Sequence, residues 1–176
     1  MITPYFKTLV RNSLLFSFLA FQLSMPGAFE ISRETPKGAV ILTVNGKIGI
    51  KNTPEAAVFD TAMLEALPQH SFVTATPWFK VPVRFTGPLL KDVLQAVKAT
   101  GTNVKAIALN DYKINIPLED ALKYDLLLAR QIDGRVLSVR EKGPLFVIYP
   151  FDRHPELRNL TYYSRSIWQL KALSIE

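Results

Sequence analysis

The chain has 176 residues, 48% of them hydrophobic and 20% charged, which suffices for one domain with a sizeable core. It contains no cysteine, which excludes disulfides, zinc–thiolate sites, iron–sulfur clusters, cysteine nucleophiles and any molybdenum–thiolate bond. The net charge is +6, yet no dense Lys/Arg run or aromatic-interleaved basic helix accompanies it, so the charge footprint does not suit a nucleic-acid partner.

Residues 1–28 have the layout of a secretory signal peptide. Lys7 and Arg11 precede an apolar stretch at 13–23, followed by Pro26, Gly27 and Ala28. The apolar run is short for a membrane span, which needs about 20 residues. The alternative on apolar length is an uncleaved N-terminal anchor. Either reading puts the folded part, residues 29–176, outside the cytoplasm, in the periplasm. Without Lys7 and Arg11 the net charge falls by two, to +4.

Residues 29–38 read as a linker. Asn45-Gly46 predicts a hairpin turn between strand residues Thr43-Val44 and Ile48. Thr53 and Pro54 suggest an N-cap and first helical position for a helix over 51–67, with Ala57, Val58, Met63, Leu64 and Leu67 on its apolar face and Pro68 as its stop. Residues 71–76 alternate like a strand. Pro77 and Pro82 then force a loop that carries Trp78 and Phe79. A helix over 88–99 buries Leu89, Leu90, Val93, Leu94 and Val97, with Gly101 as its C-cap.

Strands at 104–109 and 113–116 flank an Asn110-Asp111-Tyr112 turn, and 118–123 is a short helix. Apolar residues 125–131 form a strand, and Asp133-Gly134 turns into 136–140. Gly143-Pro144 precedes a strand at 145–149, 150–161 is a polar loop, and 162–175 alternates aromatic and apolar residues to the end. Short strands, three short helices and Gly/Pro-rich turns indicate an α+β fold with a mixed or antiparallel sheet.

Several residues stand out chemically. Trp78 and Phe79, stiffened by flanking prolines, suit stacking on a flat ring or filling of the core. Asp111 sits in a turn and can also accept paired hydrogen bonds from an amino-pyrimidine edge, beside Tyr112. Ser138, Arg140 and Lys142 form either a solvated edge or a donor set for carbonyl or phosphate oxygens. Asp152 can pair with Arg153 in the Tyr149–His154 stretch, and Arg165 lies in a packed element that calls for a fixed partner. Only two histidines are present, without HxH or HExxH spacing, so no metal site is expected.

The stretches VNG (44–46), RFTGPLLKDVL (84–94), LNDYKINIP (109–117), LLLAR..DG, SVREKGPLFVIYPFD and YYSRSIWQL together resemble the sulfite-oxidase-type, oxidoreductase molybdopterin-binding domain. The resemblance implies a compact α+β domain that holds a pterin in a groove built from loops. In the family's enzymes a cysteine just upstream of the TGxPL-type stretch ligates molybdenum. Alignment through Trp78 and Gly87 puts Thr74 at or beside that position, and a threonine hydroxyl is a poor substitute for a thiolate toward this metal.

The cysteine-free short members are similar to periplasmic pterin-binding regulators of the PruR type. They bind a pterin without metal and act on the periplasmic domain of a membrane-bound enzyme that makes or degrades cyclic di-GMP. On this resemblance Trp78, Phe79, Tyr112 and Tyr149 are stacking platforms. Asp111 or Asp152 accepts from the ring NH groups, Arg140 and Arg165 donate to its carbonyl, and Thr74 marks the former metal position. The competing expectations are a molybdopterin oxidoreductase with an oxygen ligand in place of cysteine, and an interaction module whose groove no longer binds a small molecule.

Overall fold

The computed structural model describes residues 35–176; the signal-peptide reading of 1–28 and most of the expected linker lie outside the described residues. Apolar alternation sets the main sheet. Leu42 and Val44 are fully buried while Thr43 and Asn45 are half-buried, so the strand shows one face to the core. That sheet has five strands in the order β2 (Ala57–Phe59), β1 (Leu42–Gly46), β11 (Leu170–Ile175), β5 (Asn103–Ala108) and β6 (Lys113–Pro117). β1 pairs with β11 in parallel, and the other neighbours are antiparallel. A second, antiparallel sheet runs β3 (Gln69–Thr74), β4 (Val83–Pro88), β8 (Gln131–Ile132) and β9 (Arg135–Val136). Between them lies the pair β7 (Leu127–Ala129) and β10 (Phe146–Ile148), every residue of which is buried.

Four short helices complete the described residues: α1 (Thr61–Ala66), α2 (Leu90–Ala96), α3 (Leu118–Lys123) and α4 (Leu160–Arg165). This is the expected α+β class. No helix among the described residues is long and apolar enough to cross a membrane.

Some local expectations fail for identifiable reasons. Asn45-Gly46 makes no hairpin. β1 runs straight to Gly46, which pairs with Ile175 of β11, and Ile48 instead bridges to Ala99. Gly46 has φ +84°, and a Cβ there would sit 2.1 Å from the Ile175 carbonyl oxygen. The glycine serves a close strand approach and not a turn between neighbours.

The expected helix over 51–67 is a turn, a strand and a short helix. The Thr53 hydroxyl accepts from the Ala56 N–H at 3.1 Å and donates to its carbonyl at 2.7 Å, closing a local turn. Ala57 and Phe59 are buried with Val58 between them half-exposed, a period of two that suits an edge strand. The N-cap is Asp60, whose Oδ1 accepts from Met63 N–H at 2.9 Å; its Oδ2 accepts from Lys37 and Gly38 N–H at 2.9 and 2.8 Å.

α2 starts at Leu90 and ends at Ala96, with Lys98 at φ 50°, so Gly101 is not its cap. The apolar 125–131 run divides into β7 and β8. The 150–161 loop is less polar inside than it reads, since Phe151 and Leu157 are fully buried. The C-terminal run is α4 followed by β11, with the Asn159 side chain capping α4 through Thr161 N–H.

Gly87 is another glycine that spacing demands: a Cβ would meet the Leu128 carbonyl oxygen at 2.1 Å, where β4 packs on β7. Gly87→Ala should destabilise by about 3 kcal/mol, the upper part of the overpacking range, in urea unfolding. An unchanged midpoint would show that the two strands can part freely.

The Asp60 carboxyl is held below the usual carboxylate range, first by the Met63 amide and then by those of Gly38, Lys37 and Ala62. A depressed folded value stabilises above the ordinary carboxyl pKa of about 4, and that contribution is lost as pH falls through the folded value. Asp60→Asn should therefore be less stable than the parent at about pH 7 and converge with it on acidification below that value. A stability gap constant with pH would refute the assignment.

Candidate functional site

The 75–82 loop is pinned at its start. Thr74, the last residue of β3, is 1% exposed, and its Oγ1 accepts from Asp152 N–H at 3.1 Å. Asp152 Oδ2 in return accepts from Ala75 N–H at 2.9 Å. Arg158 completes the arrangement, donating to Asp152 Oδ1 at 2.5 Å and to the Phe151 carbonyl at 3.1 Å. This reciprocal clamp ties the end of β3 to the segment after β10 and fixes the path of the loop that carries Trp78.

Trp78 is half-buried. Its ring meets Phe146 at 5.5 Å, Trp168 at 5.7 Å, Tyr163 at 6.0 Å and Phe151 at 6.4 Å between centroids, in edge-on or tilted geometry. One side packs on the core, as one of the two sequence readings has it, and the rest lines a cleft of about 450 Å³. The cleft is walled by Trp78, Tyr163, Ile167 and Trp168, and by Tyr112 from the β5–β6 turn. Asn110, Ser164, Ser166 and Gln169 supply its polar groups, and no charged side chain lines it.

The local hydrogen bonds determine what those polar groups offer. Ser164 and Ser166 hydroxyls donate back to the carbonyls of Leu160 and Tyr162, at 2.8 and 3.0 Å, which leaves their oxygens as acceptors. Gln169 Nε2 donates to the Val139 carbonyl at 2.8 Å, leaving Oε1 as an acceptor. Asn110 Oδ1 accepts from Tyr112 N–H at 3.2 Å, leaving its amide NH2 as a donor. Ser166 is only 1% exposed, so the cleft combines aromatic walls with two accessible acceptors, on Ser164 and Gln169, and one amide donor. This set matches a flat heterocycle bearing an amino group, a ring N–H and a carbonyl on one edge.

Of the residues picked from sequence, the structure brings Trp78 and Tyr112 to this cleft and leads the others elsewhere. Asp111, with φ 64°, pairs with Lys171 at 2.8 Å, and that lysine holds its carboxyl below the usual range. Thr74 and Asp152 form the clamp, so Asp152 pairs with Arg158 and not with the expected Arg153, which instead lies 5.5 Å above the Phe72 ring.

Tyr149 is fully buried and cannot stack on a ligand. Its hydroxyl donates to Asp120 Oδ2 at 2.7 Å, and burial, then that contact, pushes its ionisation far above the usual tyrosine range. Arg165 donates to the same Asp120 oxygen at 2.8 Å. Phe79 and Arg140 meet in a second, smaller cleft of about 230 Å³. Asp120 and Trp168 escaped the sequence reading. Asp120 sits in LEDALK with no visible partner, whereas Trp168 stands three residues from Arg165 in the stretch that drew attention.

A family model for the oxidoreductase molybdopterin binding domain matches residues 51–151. The chain belongs to this family. A search of curated proteins finds no match. The matched range includes Trp78, Asn110 and Tyr112 but stops before α4, so the Tyr163–Gln169 wall lies outside it.

Against the family's cofactor, the residues divide. The pterin part fits the aromatic, acceptor-rich cleft. The thiolate-bound metal does not: the chain has no cysteine, and the Thr74 oxygen, buried and accepting from Asp152 N–H, is turned inward. No cluster of three or more His, Cys, Asp or Glu suited to a metal exists among the described residues.

The Asp120 hub yields a graded prediction. Tyr149→Phe removes one buried hydrogen bond and should cost about 1 kcal/mol. Asp120→Ala leaves both the Tyr149 hydroxyl and Arg165 without an acceptor and should cost at least about 3 kcal/mol in chemical denaturation. Equal costs for the two variants would show that Arg165 gains nothing from the contact.

Proposed function

We propose that the chain is a metal-free pterin-binding protein. The observation that carries this reading is the uncharged cleft formed by Trp78, Tyr112, Tyr163 and Trp168, with Asn110, Ser164, Ser166 and Gln169 at its edge. Its volume lies in the range of small-molecule sites. An amino-oxo pyrimidine edge places its NH2 and N–H against the Ser164 and Gln169 acceptors and its carbonyl against the Asn110 amide. A buried ring held this way leaves few polar groups unpaired, which favours specificity.

The lack of a cysteine to bind molybdenum favours recognition of a pterin over sulfite-oxidase-type chemistry, so the proposed role is recognition. By its likeness to the cysteine-free, PruR-type regulators, the pterin-bound protein signals to the periplasmic domain of a membrane-bound cyclic di-GMP synthase or phosphodiesterase. The supports for this finer reading are the signal-peptide layout of residues 1–28 and the lack of cysteine. Its direct check is co-purification of such a membrane protein with the tagged chain, strengthened by added pterin.

The binding reading is tested by titrating the purified protein with reduced pterins while following Trp fluorescence and heat. Trp168, 37% exposed, is the better probe because Trp78 also packs on the core. Trp168→Ala should weaken binding at least about tenfold, the loss of about 1.4 kcal/mol of stacking. No response to any pterin would overturn the proposal. Stoichiometric molybdenum in protein made in a molybdenum-replete host would favour the oxidoreductase instead.

A further inference from the structure

Trp168 walls the ring cleft at a point beyond α4. It follows Ser166, the C-cap of that helix, by two residues, and it is exposed. Its ring meets Trp78 at 5.7 Å and Phe146 at 6.0 Å, both near perpendicular. Contacts of this geometry leave part of an indole's surface uncovered. An exposed side chain of this size samples several rotamers unless something selects one. The wall therefore needs a further hold on Trp168 if it is to meet a ligand in one fixed orientation.

Lys142 supplies that hold. Its Nζ lies 4.3 Å above the centroid of the Trp168 ring. Among the described residues no carboxylate pairs with this Nζ, and the adjacent Glu141 accepts from the Ser138 hydroxyl at 2.8 Å. The indole face is thus the ammonium's partner. The backbone fixes where the lysine stands. Lys142 has φ 74° and ends the turn of Val139–Glu141. Its carbonyl accepts from Gln169 N–H at 3.0 Å, and the Val139 carbonyl accepts from the Gln169 side chain at 2.8 Å. Three residues on, the Leu145 carbonyl accepts from Leu170 N–H at 3.0 Å. One turn therefore braces Trp168 by its ring and Gln169 by its backbone and its amide. Lys142 itself lines the smaller cleft and not the ring cleft.

We propose that Lys142 is a positioning residue of the ring site and acts on the ligand only through Trp168. This rests on the pterin reading of the cleft. The ammonium occupies one face of the indole, so a ligand meets the ring from its other side, and the charge keeps the indole in the orientation that completes the wall. A protein whose wall is turned away for part of the time binds with its affinity reduced by that fraction. Lys142 thus raises the population of the competent wall, and its effect does not depend on any charge carried by the ligand.

The test is a double-mutant cycle, read by calorimetric titration of the purified protein with 6-methyl-7,8-dihydropterin, a ring without a charged side arm. Lys142→Met keeps the length of the side chain and removes its charge, and it should weaken binding about fivefold, the size of a half-buried cation–π contact. Lys142→Arg keeps a cation over the indole and should bind within about twofold of the parent. In a Trp168→Ala background, Lys142→Met should cost less than about twofold, because the ring through which the lysine acts is gone; binding by this double variant also shows that it is folded. Unchanged affinity in Lys142→Met, no recovery in Lys142→Arg, or an equal loss with and without Trp168 overturns the positioning role while the ring-binding reading stands. Absence of binding by the parent overturns both.

Discussion

The wall of the ring cleft depends on one carboxylate oxygen. Asp120 Oδ2 accepts from the Tyr149 hydroxyl and from Arg165 at 2.7 and 2.8 Å, joining α3, the end of β10 and α4 at a single buried point. α4 is only six residues long, and its exposed Leu160 shows that hydrophobic burial does little to hold its first turn. Its orientation is set by this charge pair and by ring contacts of Tyr162 with Tyr149 and Tyr124, at 5.3 and 6.1 Å. Everything downstream inherits that orientation: Tyr163, Ser164, Ser166, Ile167, Trp168 and Gln169 reach the cleft because α4 is aimed before the chain turns into β11. An acid enclosed this far is stabilising only when its donors are present, so the hub makes the position of the wall all-or-none.

A second regularity explains which site residues the sequence made legible. Trp78 and Tyr112 were readable because an aromatic in a proline-braced loop or in a turn has little local reason to be buried. The charged residues beside them were misleading. Asp111 is bound to Lys171, Asp152 to Arg158, and Arg165 to Asp120. In each of these stretches the group with the strongest electrostatic demand found a partner within the fold. Where the stretch borders the cleft, its uncharged neighbours (Asn110 next to Asp111, Ser164 and Ser166 on either side of Arg165) were left to face it. Asp111–Lys171 and Asp120–Arg165 join residues 60 and 45 positions apart, and no local pattern reports them.

The same limit governed the fold. Elements whose partners are adjacent in sequence, such as β5, its Asn110–Tyr112 turn and β6, were legible almost residue for residue. Those whose partners come from the far end of the chain were not. Gly46 looked like a hairpin residue until Ile175 arrived beside it, and Ala57–Phe59 looked helical because its role as the edge strand exists only once β1 is in place. Residues 162–175 read as one alternating run because the aromatic spacing at the end of α4 and in the turn after it mimics a strand ahead of β11.

Thr74 draws these strands of reasoning together. The family resemblance implies that Thr74 stands at or beside the enzymes' metal-binding cysteine, and its hydroxyl is engaged with the backbone of Asp152. A ligand to a metal must present its lone pairs outward, whereas this oxygen accepts inward and is 1% exposed. The Asp152 carboxylate accepts in return from Ala75 N–H, so the loop is fastened from both sides. A loop that holds a metal is stiffened by the metal. Here the stiffening comes from the clamp itself, which fixes the start of the loop that carries Trp78 and Phe79. On the proposed pterin reading, the clamp that turns the Thr74 oxygen inward also preorganises the loop that offers Trp78 to the ring.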